Sequence, residues 1–192
     1  MNSSYYQIHA QTFFDGTVNV DMSSLHETFT SRLPAHAKVL DAGCGSGRDA
    51  FAFTQMGYQV EAFDASPELV TLAREHTCLP VEQMTFAEVD AKDVYDGIWC
   101  CASLLHVPFV QLPGVMQKLA AALKRKGVWY FSFKYGDSER EKDGRSFTDI
   151  NEERLATLLQ DLSDLEIAEQ WITQDVRPDR DEMWLNVILI RR

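Results

Sequence analysis

Val39-Leu40-Asp41-Ala42-Gly43-Cys44-Gly45-Ser46-Gly47 reads as an apolar strand that meets an acid and then a loop with glycine at every second position. A helix follows from about Arg48, and a second apolar segment, residues 59–64, ends in another acid, Asp64. With no Cβ at Gly43, Gly45 or Gly47, the loop backbone can come within contact distance of a ligand. An acid at the carboxyl end of the second strand is placed to accept two hydrogen bonds from a ribose diol. Loop, strand, helix and second acid together point to an adenosine-type cofactor. The plain alternative is a tight strand-to-helix turn with surface acids.

Residues 39–47 resemble motif I of the class I S-adenosylmethionine-dependent methyltransferases, V-L-D-x-G-C-G-x-G. The glycine spacing is G-x-G-x-G, not the G-x-G-x-x-G with which nicotinamide dehydrogenases serve a pyrophosphate. The resemblance implies that Asp41 orders the ammonium of the cofactor S-adenosyl-L-methionine, directly or through water. It implies that Gly43 and Gly45 line the cofactor's methionine and ribose, with further contacts from Cys44 and Arg48, and that Asp64, with Ala65 beside it, binds the ribose hydroxyls. The likeness runs from about residue 39 to the end, the N-terminal segment being the family's variable cap. It departs at Leu123-Lys124-Arg125-Lys126-Gly127, where the family commonly has L-K-P-G-G. The chain length and the step Gly47-Arg48 are similar to the compact tellurite-resistance-type enzymes.

Outside the motif, apolar periodicity sets the remaining elements. Leu25, Phe29 and Leu33 mark a helix behind a capping box at Ser24-Leu25-His26-Glu27, ending at Pro34. Strands are expected at 38–42, 59–64, 80–86, 97–102, 128–134, 166–173 and 183–191. Helices are expected at 48–56, from Ser66 as N-cap with Pro67 next, around 112–123, and around 155–162. A polar stretch at 136–146 and a charged loop around Pro178 separate elements. Strands alternating with helices predict a Rossmann-like, doubly wound, mostly parallel seven-stranded sheet with helices on both faces. The closing strand pair fits the antiparallel last strand that the family carries. The chain is expected to be one domain, 1–192, with residues 1–36 as a helical cap and 37–192 as the core.

Composition narrows the partners. The chain has 192 residues, 45% hydrophobic and 24% charged, enough for one domain with a full core. No apolar run reaches membrane-spanning length, and the start, Met1-Asn2-Ser3-Ser4-Tyr5-Tyr6, lacks the features of a secretory signal. A cytoplasmic protein without a membrane partner is the expectation. The net charge of −11, with 29 acids against 18 basic residues, argues against nucleic acid, which needs a basic stripe. The cluster Lys124-Arg125-Lys126 falls where a helix is expected to end, and cations there complement the dipole. Cysteines 44, 78, 100 and 101 and histidines 9, 26, 36, 76 and 106 show neither C-x-x-C nor H-E-x-x-H, so no metal site is expected. The oligomeric state is not legible.

The remaining candidates come from the strand ends, where an open α/β sheet places its site. Met84, Thr85 and Phe86 can flank the adenine or simply pack. The resemblance implies that Ala102 and Ser103 contact the methionine end of the cofactor, and they precede His106, the one histidine at a strand's carboxyl end. His106 is a candidate general base or substrate contact, against a purely structural role. Lys134, Tyr135, Arg145 and Arg177 are candidate substrate contacts. Their convergence would suggest an anionic acceptor, whereas offsetting acids such as Asp137, Glu139, Asp179 and Asp181 would make them structural. Tyr5, Tyr6 and Phe14 can form a lid over the cofactor and substrate, with Tyr6 as a cofactor contact, or anchor a capping helix to the sheet. The chain therefore reads as a methyltransferase acting on a small-molecule acceptor by in-line displacement. The rival readings are a non-catalytic S-adenosylmethionine-binding sensor or partner domain, and a nicotinamide-dependent oxidoreductase, for which a Tyr-x-x-x-Lys pair is missing.

Overall fold

A computed structural model describes residues 3–177 and 180–192; Pro178 and Asp179, expected in the charged loop, lie outside the described residues. The order of elements is α1 (Ser3–Thr17), α2 (Ser23–Thr30), β1 (Lys38–Ala42), α3 (Arg48–Gln55), β2 (Gln59–Asp64), α4 (Pro67–Thr77), β3 (Glu82–Gln83), β4 (Tyr95–Cys100), α5 (Leu112–Ala122) and β5 (Leu123–Lys134). Then come β6 (Glu139–Lys142), β7 (Arg145–Thr148), α6 (Glu152–Leu159), β8 (Leu165–Gln174) and β9 (Met183–Arg191). Seven strands form one sheet in the order β3-β2-β1-β4-β5-β9-β8. The pairs among β1 to β5 are parallel, and β9 runs antiparallel between β5 and β8. This is the doubly wound, mostly parallel sheet with an antiparallel last strand that the sequence predicts.

Strand periodicity divides the core into two layers. Leu40, Ile98, Cys100 and Phe131 face the side covered by α5 and α6. Their neighbours Val39, Trp99 and Tyr130 face the opposite side, where Phe29 of α2 and Phe53 of α3 join them. There Trp99 stacks on Tyr130 with ring centroids 4.0 Å apart. Gly97 lets α2 lie close, because a Cβ would meet the Phe29 ring at 2.8 Å. The N-terminus of α4 is built as expected: Ser66 Oγ accepts the Leu69 N–H, and Pro67 follows. Among the described residues, no helix is long and apolar enough to cross a membrane.

Several local expectations fail for identifiable reasons. The third strand shrinks to Glu82–Gln83, because the Glu88 carboxylate accepts from Thr85 N–H and Oγ1–H and closes a short 3₁₀ turn at Phe86–Glu88. The fourth strand starts earlier and ends at Cys100, and Ala102 turns the chain with φ +50°. No capping box forms at Ser24; α2 begins at Ser23, whose N–H donates to Asp21. Lys124-Arg125-Lys126 lies in β5 rather than in a last helical turn, and Lys124 pairs with Asp96 at 2.9 Å. Its dipole role is therefore withdrawn. The polar stretch 136–146 holds most of a hairpin, β6–β7.

Candidate functional site

Backbone geometry builds the glycine loop. Gly43, Gly45 and Gly47 have φ of +76°, +55° and +76°, the left-handed region that side chains with a Cβ disfavour. Space is as limiting as conformation. A Cβ on Gly43 would lie 2.6 Å from Ser103 Cβ, and one on Gly47 would lie 2.7 Å from Thr77 Cγ2. The N–H groups of Gly43 and Cys44 donate to the Phe63 carbonyl. Asp64 then fastens the loop: one carboxylate oxygen accepts Gly45 N–H and the other Ser66 N–H, each at 2.9 Å. Burial pushes the Asp64 carboxyl up. Asp41 accepts the Ala50 N–H at 3.0 Å and so ties α3 to the end of β1. Burial, and then the neighbouring Asp49, push Asp41 well above the usual carboxylate range.

Asp49 is the residue that sequence reasoning missed. It accepts from His26 Nε2 and Trp99 Nε1 at 2.9 Å and from Arg48 Nε and Nη2 at 2.7 Å. Burial pushes this carboxyl up, but the Arg48 guanidinium and His26 outweigh it and hold Asp49 below the usual carboxylate range. An acid one residue into a helix reads as a dipole partner in sequence. Its role as a hub depends on α2 arriving from elsewhere in the chain.

Beyond the loop, a cavity of about 560 Å³ opens at the carboxyl ends of β1, β4 and β5. Tyr5, Tyr6 and Phe13 of α1 roof it, and Phe13 lies 3.1 Å from where a Cβ on Gly45 would sit. The β6–β7 hairpin supplies a wall through Arg145 and Phe147, and β9 supplies Trp184. His106 stands between hairpin and roof. A carbonyl can only accept, so His106 Nδ1–H donates to Ser146 O at 3.0 Å. Nε2 is then the acceptor, and it takes the Tyr6 hydroxyl at 3.1 Å. Burial pushes the imidazole down to about 4, and it raises the Tyr6 hydroxyl, partly offset by a hydrogen bond from Arg145.

The sequence-predicted residues divide into two groups. Asp41, Gly43, Cys44 and Gly45 line the cavity, as do Tyr6, Ala102 and His106. Arg48, Lys134, Arg145 and Arg177 also line it, so the cations weighed from sequence do converge. Three of these four are closely paired, Arg48 with Asp49 at 2.7 Å, Lys134 with Glu182 at 2.5 Å and Arg177 with Asp175 at 2.6 Å, whereas Arg145 is 3.9 Å from Asp143. Asp64, exposed Ala65 and exposed Thr85 lie outside the cavity, on the far side of the loop. Met84 lines a separate, smaller cavity, and Phe86 packs edge-on against Phe63. Ser103 donates to the Ala42 carbonyl at 2.7 Å and braces Gly43 rather than facing the cavity. Tyr135 is 42% exposed, donates to Glu152 and is absent from the cavity wall, so the structure removes it from the acceptor contacts. Phe14 lies against His76 of α4, where it anchors α1 instead of covering the cavity. Among the described residues, no group of three or more His, Cys, Asp or Glu is arranged to hold a metal ion.

Residues 39–127 match the family model described as a methyltransferase domain. The chain is 33% identical over 114 residues to the ubiquinone biosynthesis O-methyltransferase of Xanthomonas axonopodis pv. citri, an alignment covering 55% of this chain and 47% of that protein. The matched stretch thus spans about half the length of that relative. Among solved structures, the fold is similar to the 1,6-didemethyltoxoflavin-N1-methyltransferase of Burkholderia thailandensis with bound 1,6-didemethyltoxoflavin and S-adenosylhomocysteine. That likeness has a TM-score of 0.78 at 23% identity, covering 98% of this chain and 84% of the other. The magnesium protoporphyrin IX methyltransferase of Synechocystis PCC 6803 with bound S-adenosylmethionine gives a TM-score of 0.67 at 22% identity, covering 96% and 80%. These two likenesses establish the shared fold.

Proposed function

We propose that this chain, whose residues 39–127 match a methyltransferase-domain family model, is a class I enzyme that transfers a methyl group from S-adenosylmethionine to a small-molecule acceptor. The observation that carries this reading is the glycine loop fastened by Asp64 at the edge of a roofed cavity that contains an imidazole whose Nε2 accepts from the Tyr6 hydroxyl of the roof. The donor set suits the cofactor. Burial raises both Asp41 and Asp64, and a ligand bringing an ammonium to one and hydroxyls to the other offsets that burial. Asp41 and residues 43–45 would hold the methionine half, with Tyr6 and Ala102 beside it. Asp64, Ala65, Thr85, Met84 and Phe86 would hold the ribose and adenine. When bound, the cofactor supplies a methyl group on a sulfonium, which needs alignment and dry surroundings more than covalent help.

The chain's own residues then position the acceptor and move one proton. Ser146 fixes the His106 tautomer, so Nε2 presents its lone pair to the cavity. An acceptor hydroxyl that replaced the Tyr6 hydroxyl there would give its proton to Nε2 on methylation, the cofactor's S–CH3 bond breaking and the thioether leaving. Burial keeps the ring neutral near pH 7 and able to accept. Tyr5, Tyr6 and Phe13 exclude water from above. A roof this close to the loop favours a small acceptor over nucleic acid, as does the excess of acids. The cations at the cavity favour an acceptor with negative charge. We read the chain as one domain, cap and core, acting in the cytoplasm.

Calorimetry with S-adenosylmethionine and with NADH tests the cofactor: the first is expected to bind and the second not, and the reverse would overturn the reading. A methyl-transfer screen over hydroxylated carboxylates, thiols and metalloid oxyanions then tests the reaction. His106→Ala should lower turnover while leaving cofactor affinity nearly intact.

A further inference from the structure

We propose that Arg145 is the carboxylate-binding residue of the acceptor chamber, and that the acceptor is a small monoanionic carboxylate with a flat apolar body. The proposal rests on reading the cavity as a methyl-acceptor site. Five cations line that cavity: Arg48, Lys134, Arg145, Arg177 and Arg180. Arg48 and Arg177 are each held by a bidentate carboxylate, Asp49 and Asp175. Lys134 pairs with Glu182 at 2.5 Å, and Arg180, 3.9 Å from the same carboxylate, is 40% exposed and solvated at the rim. Arg145 differs. Its nearest carboxylate is Asp143, 3.9 Å away and 65% exposed, while the Arg145 side chain is only 15% exposed. Its Nε is the one buried side-chain nitrogen or oxygen without a hydrogen-bond partner among the described residues.

A buried, unpaired guanidinium N–H is costly unless a ligand completes it. The guanidinium edge presents parallel N–H groups, the geometry that a carboxylate matches with its two oxygens. One uncommitted cation balances one negative charge, which favours a carboxylate over a phosphate dianion. The surroundings define the rest of the ligand. The Tyr5 ring lies 4.3 Å from the guanidinium carbon and the Phe147 ring 5.2 Å, and Trp184 closes the wall beyond Lys134. Rings in these positions favour a flat apolar body over a hydroxyl-rich one. Arg145 and Ser146 are consecutive in β7, so one strand sets both the anion anchor and the orientation of His106.

The test uses benzoate and its neutral isostere benzamide as probes, titrated into the full chain with S-adenosylhomocysteine present. Benzoate should bind the wild type at least about tenfold more tightly than benzamide, a difference of about 1.4 kcal/mol. Arg145→Gln should bring benzoate down to the benzamide level with S-adenosylhomocysteine affinity unchanged, and Arg145→Lys should keep part of the preference because it keeps the charge but not the fork. The wild-type ratio stands without any variant. Equal binding of the two probes, no saturable benzoate binding, or a full preference surviving in Arg145→Gln would overturn the proposal. If S-adenosylhomocysteine fails to bind while the benzoate preference and its loss both hold, methyl transfer falls and the anion site remains. If S-adenosylhomocysteine binds and the preference is missing, only the anion site falls.

Discussion

Replacing Asp49 by Asn should cost about 3 kcal/mol of folding stability, a figure that follows from what the carboxylate holds. Asp49 is 5% exposed and accepts hydrogen bonds from four N–H donors on three residues. Asn keeps the shape but offers one acceptor oxygen, and it turns an NH₂ group toward groups that only donate. The Arg48 guanidinium loses its counter-charge. Breaking a buried pair in this way costs about 3–5 kcal/mol. The lower end applies here because the Arg48 side chain retains 19% exposure and borders the cavity, so it can turn toward water. For a chain of this length the melting temperature should fall by about 6–12 °C, at about 2–4 °C per kcal/mol. Urea denaturation at pH 7, with calorimetry beside it, measures both quantities. The pH dependence has a fixed sign. The folded-state pKa of Asp49 is depressed, so its stabilisation is full above the unfolded value of about 3.9 and is lost as pH falls through the folded one. The gap between wild type and variant should therefore narrow only in acid. A loss under about 1 kcal/mol at neutral pH, or a gap that widens in acid, would refute the reasoning.

Gly47→Ala should destabilise by about 2 kcal/mol or more, combining the left-handed backbone cost with a Cβ 2.7 Å from Thr77 Cγ2; denaturant titration checks it. Asp64→Ala should weaken S-adenosylmethionine binding about tenfold or more by calorimetry, since the ribose acceptor and the Gly45 anchor go together; unchanged affinity would remove Asp64 from the site. The His106 ring should remain neutral at pH 5 in NMR titration, because burial pushes its pKa down to about 4. Its folded value lies below the unfolded value of about 6.5, so the unfolded chain takes up the proton first as pH drops. Stability should thus fall between pH about 6.5 and 4, and His106→Gln should flatten that slope.

The sheet was legible because its signal is local. Residues 38–42 and 59–64 are apolar, bounded by turns, and form β1 and β2 with those bounds. The β6–β7 hairpin was hidden because Glu139-Arg140-Glu141-Lys142 carries no apolar alternation; its pairing is fixed by position, with Thr148 Oγ1–H donating to the Val107 carbonyl. The β3 region looked like a longer strand because the Thr85–Glu88 hydrogen bonds that end it leave little trace in hydrophobicity. At the site, the glycine loop and its acids were readable from type and spacing. The pairing of each arginine was not. Arg177 meets Asp175 two residues away, yet Lys134 meets Glu182 across the β5–β9 register, and only once those partners are assigned does Arg145 stand out as the buried guanidinium without a close carboxylate, its Nε unpartnered.

α1, the roof, precedes in chain order every element that it rests on. α1 rests on α4 and on a cavity whose far walls are β7 and β9, so its seat is complete only after nearly the whole chain is available. Ala10 is its only fully buried apolar residue, and Ile8 points 78% into solvent. Tyr5, Tyr6, Phe13 and Phe14 are partly buried, and α1 is held by side-chain packing and not by strand pairing, so the helix can open locally while the sheet stays folded. Folding and site assembly become separate events. The sheet can form and persist with the chamber unroofed, and a roof that lifts while the sheet holds gives ligands a way in and out.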